Sequence, residues 1–100
     1  AWVHVAASLA VIGVGSFFQV SASEWVQLIL AMTVVWMAEA LNTAFELLCD
    51  VTNPEFHPVV KKAKDVSAGA VLLCAAGAVS VGLMIFLPYG FEYVGWLLDR

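Results

Sequence analysis

Five polar side chains recur along one short stretch, Glu39, Asn42, Thr43, Glu46 and Asp50. On a helix of about 3.6 residues per turn, steps of 3, 4, 7 and 11 keep them within an arc of roughly 100°. The opposite face reads Ala40, Leu41, Ala44, Phe45, Leu47 and Leu48. Some way downstream, Lys64 and Asp65 stand side by side. Carboxylates with an amide suit a hard cation such as Mg²⁺, which keeps several waters and bridges substrate phosphates. A lysine then contacts phosphate, and a remaining carboxylate takes a proton from a hydroxyl. Those are the parts that phosphoryl transfer needs, positioning and charge neutralisation. Plainer readings stand beside this one. The acids could sit at a helix end and reach headgroup water, and Lys61 could pair with Asp65 as an i,i+4 couple worth about 0.3–0.5 kcal/mol.

The composition sets the medium in which this stripe must work. The chain has 100 residues, 63% hydrophobic and only 12% charged, with a mean hydropathy of +0.95. Soluble domains run at about 45–50% apolar and 25% charged. The chain therefore reads as an integral membrane protein, all-α, because open sheets do not span bilayers. Ionisable groups at membrane depth cost about 2.5–3.5 kcal/mol each. Placing two or three of them on one face needs a functional reason. A net charge of −4 leaves no basic patch for nucleic acid. Cys49 and Cys74 lack metal-type or CxxC spacing and read as small apolar residues. No basic n-region with a following cleavage site marks a signal peptide.

Three helical spans are expected to position the stripe within a single domain, residues 1–100. The first covers about residues 1–20, enough for a hydrocarbon core of roughly 30 Å. Gly13 and Gly15 on it allow close helix approach. His4, near its start, reads as an interfacial histidine rather than a catalytic one. Residues 19–24 form a tight turn, where Ser21 or Ser23 can cap the next helix and Glu24 suits its first turn. The second span, about 24–50, carries the stripe, with Trp25 in the aromatic belt and Trp36 packed deeper. It should stop before Pro54. A new helix can open at Pro58, and the third span covers about 62–88. Its many alanines and glycines favour tight helix contact, Pro88 ends it, and 89–100 is an aromatic interfacial tail. Lys61, Lys62 and Lys64 place their loop in the cytoplasm by the positive-inside bias. The 19–24 turn and the C-terminus are then external. Three spans of this length enclose little alone, so a homo-oligomer is expected.

Two blocks of residues carry a resemblance. They are Glu39-Ala-Leu-Asn42-Thr43-Ala-Phe-Glu46 with Asp50, and His57-Pro58 followed by Ala63-Lys64-Asp65-Val-Ser-Ala-Gly69. Together they resemble the small bacterial integral-membrane lipid kinases, the diacylglycerol kinase and undecaprenol kinase family, over about residues 1–88. The His57-Pro58 turn and the Gly82 to Pro88 ending lean toward the undecaprenol kinase branch. The resemblance implies a homotrimer in the bacterial inner membrane with sites at subunit interfaces facing the cytoplasm. The reaction implied moves the γ-phosphoryl of Mg-ATP to the hydroxyl of a membrane lipid alcohol. Carried over, Glu39 is the general base and Asn42 supports it. Glu46 binds Mg²⁺, while Asp50, Lys64 and Asp65 meet the nucleotide. The family usually begins with an amphipathic surface helix bearing a further metal-binding acid. That segment would precede Ala1, so the chain reads as trimmed.

Two other functions fit parts of the same pattern. A small oligomeric channel or proton-coupled carrier would line a water-filled path with Glu39 and Glu46, and would consume no ATP. A purely structural subunit leaves the cost of the acidic stripe unexplained. No Walker-type or kinase Gly-rich loop is present, so a nucleotide site here is unconventional.

Overall fold

The computed structural model describes residues 2–100, and every described element is helical: α1 (Trp2–Phe18), α2 (Ala22–Thr52) and α3 (Pro58–Leu98). They form a rod of 64 × 21 × 20 Å. Two helices, α2 and α3, are long and apolar enough to cross a membrane. The 17 residues of α1 are apolar but make a shorter helix than the expected span of about 20. Ala1, at the start of that expected span, lies outside the described residues.

Local chemistry explains the helix ends. Gln19 takes a positive φ of 53°, and the amides of Gln19 and Val20 donate back to the carbonyls of Ser16 and Gly15. This is a left-handed cap with paired backward bonds, and it buries Val20. Of the two expected caps for α2, Ser21 takes the position. Its hydroxyl accepts from the Glu24 amide at 3.1 Å, and the Glu24 carboxylate accepts from the Ser21 amide at 2.9 Å. Each side chain satisfies a donor that a helix start leaves orphaned. At the other end α2 stops at Thr52, two residues before Pro54. His57 then caps α3, its Nδ1 accepting from the Val59 amide at 3.2 Å, with Pro58 in the first turn.

Pro88 does not end the third helix, as expected, but lies inside it. Its ring has no N–H to offer the carbonyl one turn earlier, so the continuation must be held from elsewhere. The residues that hold it follow directly. The Tyr89 hydroxyl donates to Glu24 Oε1 at 2.5 Å. Its ring stacks on Phe18 at 5.6 Å, and Tyr93, one turn on, meets Phe17 edge-on at 5.5 Å. Residues 89–98 thus continue the third helix and dock on the α1–α2 turn, where a separate aromatic tail was expected.

The interior is small. Val20, Leu28 and Ile85 form its centre, with Val11, Phe18, Trp25, Val81, Phe86 and Tyr89 around it. Most large apolar side chains face outward, Leu41, Leu47 and Leu48 on α2 each more than 60% exposed. Of the two glycines expected to admit close approach, Gly15 does so. A Cβ there would fall 2.6 Å from the Trp25 ring, whereas one on Gly13 would meet nothing within 4 Å. Gly15→Val should therefore cost about 1–3 kcal/mol through overpacking, and Gly13→Ala should cost nothing measurable. Unfolding of the two variants in detergent by denaturant titration checks the contrast.

Candidate functional site

The register of α2 turns the polar stripe inward. Glu39, Asn42 and Glu46 are half-buried and Cys49 is buried, while Leu41, Leu47 and Leu48 point away from the other helices. Thr43 and Asp50 are exposed. Glu39, Asn42 and Glu46 are thus turned toward the neighbouring helices while the leucines beside them face the surroundings, which suits hydrocarbon as the outer medium.

Two groups of side chains form along this face, about 10 Å apart by helical rise from Glu39 to Glu46. At the first, Glu39 Oε2 stands 4.0 Å from His4 Nε2 on α1, with the two side chains 28% and 19% exposed. The His4 ring lies 5.7 Å from that of Trp36, tilted by 56°. Trp36 Nε1 donates to Ser8 Oγ at 2.9 Å, tying α2 back to α1. Of these residues His4, Ser8 and Trp36 line an apolar groove of about 510 Å³ between the three helices, whose walls also include Val11, Leu28, Val35 and Phe86. Asn42, one turn from Glu39, has its Oδ1 buried with no hydrogen-bond partner.

The second group gathers where α2 and α3 meet across the proline turn. Glu46, Asp50, Lys64 and Asp65 line one cleft of about 430 Å³, with Asn53, Glu55, His57 and Lys61. Lys64 Nζ donates to Asp50 Oδ1 at 2.9 Å, which joins the stripe to the lysine-aspartate pair. Asp65 is engaged by Lys61 at 3.0 Å, one turn back on its own helix. The structure therefore brings four expected residues, Glu46, Asp50, Lys64 and Asp65, to one cleft. Glu39 and Asn42 stand apart from it, deeper along α2.

The fit of this cleft to a divalent cation follows from its donors. Among the described residues no three His, Cys, Asp or Glu side chains converge as a metal set. Asp50 is already shared with Lys64, so Glu46 is left as the free carboxylate of α2 at the cleft. That suits an ion bringing its own waters and phosphate ligands better than one caged by protein, and Mg²⁺ binds in that manner through one or two carboxylates.

His4 is the residue that reading the sequence left aside. An apolar helix start gives a lone histidine no distinguishing signal, and its placement against Glu39 depends on how α1 packs on α2. Lys61, Asn53 and Glu55 likewise join the cleft only because the turn folds back.

A family profile described as prokaryotic diacylglycerol kinase matches residues 1–86. The undecaprenol kinase of Bacillus subtilis is 40% identical over 85 residues, which are 85% of this chain and 69% of that protein. A diacylglycerol kinase of Synechocystis is 40% identical over 87 residues, 86% of this chain and 50% of that protein. Another from Helicobacter pylori is 35% identical over 80 residues, 73% of this chain and 62% of that protein. The chain thus spans only half to about seven tenths of the length of these relatives. No solved structure matches it.

The Asp50–Lys64 bridge is open to solvent, 64% and 33% exposed. Its contribution to stability should be small and should fade with salt. A double-mutant cycle of Asp50→Asn and Lys64→Gln at two ionic strengths measures it.

Proposed function

The chain belongs to the prokaryotic diacylglycerol kinase family, a family of ATP-dependent lipid kinases, and from that premise we propose its reaction in detail. It transfers the γ-phosphoryl of Mg-ATP to the hydroxyl of a membrane lipid alcohol, undecaprenol or diacylglycerol. It does so at the cytoplasmic face of the bacterial inner membrane, as a homotrimer of three-span protomers within a single domain of residues 1–100.

The observation that carries this reading is the division of the α2 stripe between two environments. Glu39 stands beside an apolar groove, and Glu46 and Asp50 stand in a polar cleft with Lys64 two turns away. A lipid hydroxyl arriving along the groove and a water-borne nucleotide arriving at the cleft meet on one helix. Glu39 is the general base and takes the hydroxyl proton as the new O–P bond forms and ADP leaves. Asn42, one turn on, supports that carboxylate through its amide N–H. Lys64 offers its ammonium to the nucleotide phosphates, and Asp50 holds the lysine at the cleft. Asp65 lies at the nucleotide side, steadied by Lys61. Glu46 would hold the Mg²⁺ of the nucleotide, which supplies charge neutralisation on the phosphates. Phosphoryl transfer asks little covalent chemistry of the protein beyond these placements.

Loss of the base separates this reading from a channel. Glu39→Gln should lower transfer of label from γ-labelled ATP to lipid by about 10²–10⁴-fold while the oligomer survives in detergent. Normal turnover in that variant overturns the base assignment. Proton flux into liposomes with no ATP consumed by the wild-type chain overturns the kinase reading. Undecaprenol and diacylglycerol supplied separately name the acceptor.

A further inference from the structure

The base of the proposed reaction has a neighbour with no role in it so far. His4 presents Nε2 to Glu39 Oε2 at 4.0 Å, and this is the polar contact of its ring. Its other nitrogen, Nδ1, is buried with no hydrogen-bond partner. A neutral imidazole carries one N–H, and the hydrogen bonds around the ring decide which nitrogen bears it. Here a carboxylate faces Nε2 and nothing faces Nδ1, so the proton belongs on Nε2. The orientation of the ring is fixed from behind. Trp36 lies against it at 5.7 Å, and Trp36 is itself tethered to Ser8. The chain of contacts Ser8–Trp36–His4–Glu39 crosses between α1 and α2 three times and ends on the carboxylate beside His4, which itself lines the apolar groove.

We propose that His4 is a positioning residue for Glu39. Its Nε2–H donates to Oε2 and fixes the carboxylate so that Oε1 is left to receive the proton of the lipid hydroxyl. The 4.0 Å separation is longer than a hydrogen bond, as contacts at a working base commonly are before substrate enters. This inference rests on the assignment of Glu39 as base. A carboxylate free to rotate loses the alignment that proton removal needs, and outer partners that orient metal-ligating side chains, a related role, are worth about 10–100-fold.

The test has a kinetic arm and a spectroscopic arm. His4→Leu removes the donor at similar volume. It should lower kcat by about 10–100-fold with the KM for ATP unchanged, because the nucleotide cleft at Glu46 lies two turns away. His4→Gln restores a donor and should recover a large part of the loss. An equal fall in both variants, or a parallel rise in the KM for ATP, reduces His4 to packing and overturns the proposal. The second arm needs no turnover. ¹⁵N spectra of the imidazoles of the full chain in lipid bilayers should show His4 protonated at Nε2, with that signal displaced in Glu39→Gln. Protonation at Nδ1, or a signal indifferent to Glu39→Gln, overturns the proposal whether or not the chain transfers phosphoryl. Absence of transfer in the wild type with the Nε2 signal coupled to Glu39 upholds the contact and sinks the kinase reading instead.

Discussion

A helix with its polar side turned inward governs the rest of this structure. In water, the leucines of α2 would be buried and its carboxylates exposed. Here Leu41, Leu47 and Leu48 face out, and Glu39, Asn42 and Glu46 face the other helices. With hydrocarbon outside, there is no driving force to bury leucine, but each inward carboxylate needs a partner or water. The partners come from elements packed on α2. His4 on α1 meets Glu39, and Lys64 on α3 meets Asp50. The half-buried Glu39 and the exposed Asp50 thus each meet a basic side chain from a neighbouring helix.

The small core is consistent with that division. Val20, Leu28 and Ile85 gather at the end of the rod farthest from the acidic cleft. The glycine contact of Gly15 with Trp25, the capping box at Ser21 and the Tyr89–Glu24 hydrogen bond all lie at this same end. Glu24 is the hub, since one carboxylate serves the start of α2 and the continuation of α3. One end of the bundle is therefore held by packing and caps, and the other by ionic and polar contacts that a ligand can compete for.

Much of this was legible in the chain because the signals were local. Polar residues at helical spacing place Glu39 to Asp50 on one face whatever surrounds them. Ser21 with Glu24, and Pro58 after a proline turn, announce helix starts through backbone chemistry confined to a few residues. The gathering of Glu46, Asp50, Lys64 and Asp65 followed once the turn between two adjacent helices was recognised. What the sequence hid depends on contacts between distant residues. Pro88 is a helix breaker in isolation, and only Tyr89 and Tyr93 against Phe18, Phe17 and Glu24 make the helix continue. His4 shows the same limit, because its meaning lies in a residue 35 positions away. Gly13 and Gly15 look alike in sequence, and only the position of Trp25 separates them.

The continuation of α3 through Pro88 also changes how the molecule must sit in its bilayer. No charged side chain occurs from Val66 to Phe91, a stretch of roughly 39 Å at helical rise. A hydrocarbon layer of about 30 Å is shorter than that. An apolar helix too long for its membrane is accommodated by tilting or by thickening the lipid around it. The missing hydrogen bond at Pro88 supplies a point where the helix can bend as well. Bilayer thickness therefore acts on α3 as a mechanical load. Because α3 is joined to α2 by Tyr89–Glu24 at one end and Lys64–Asp50 at the other, that load reaches both ends of the helix that carries the acids.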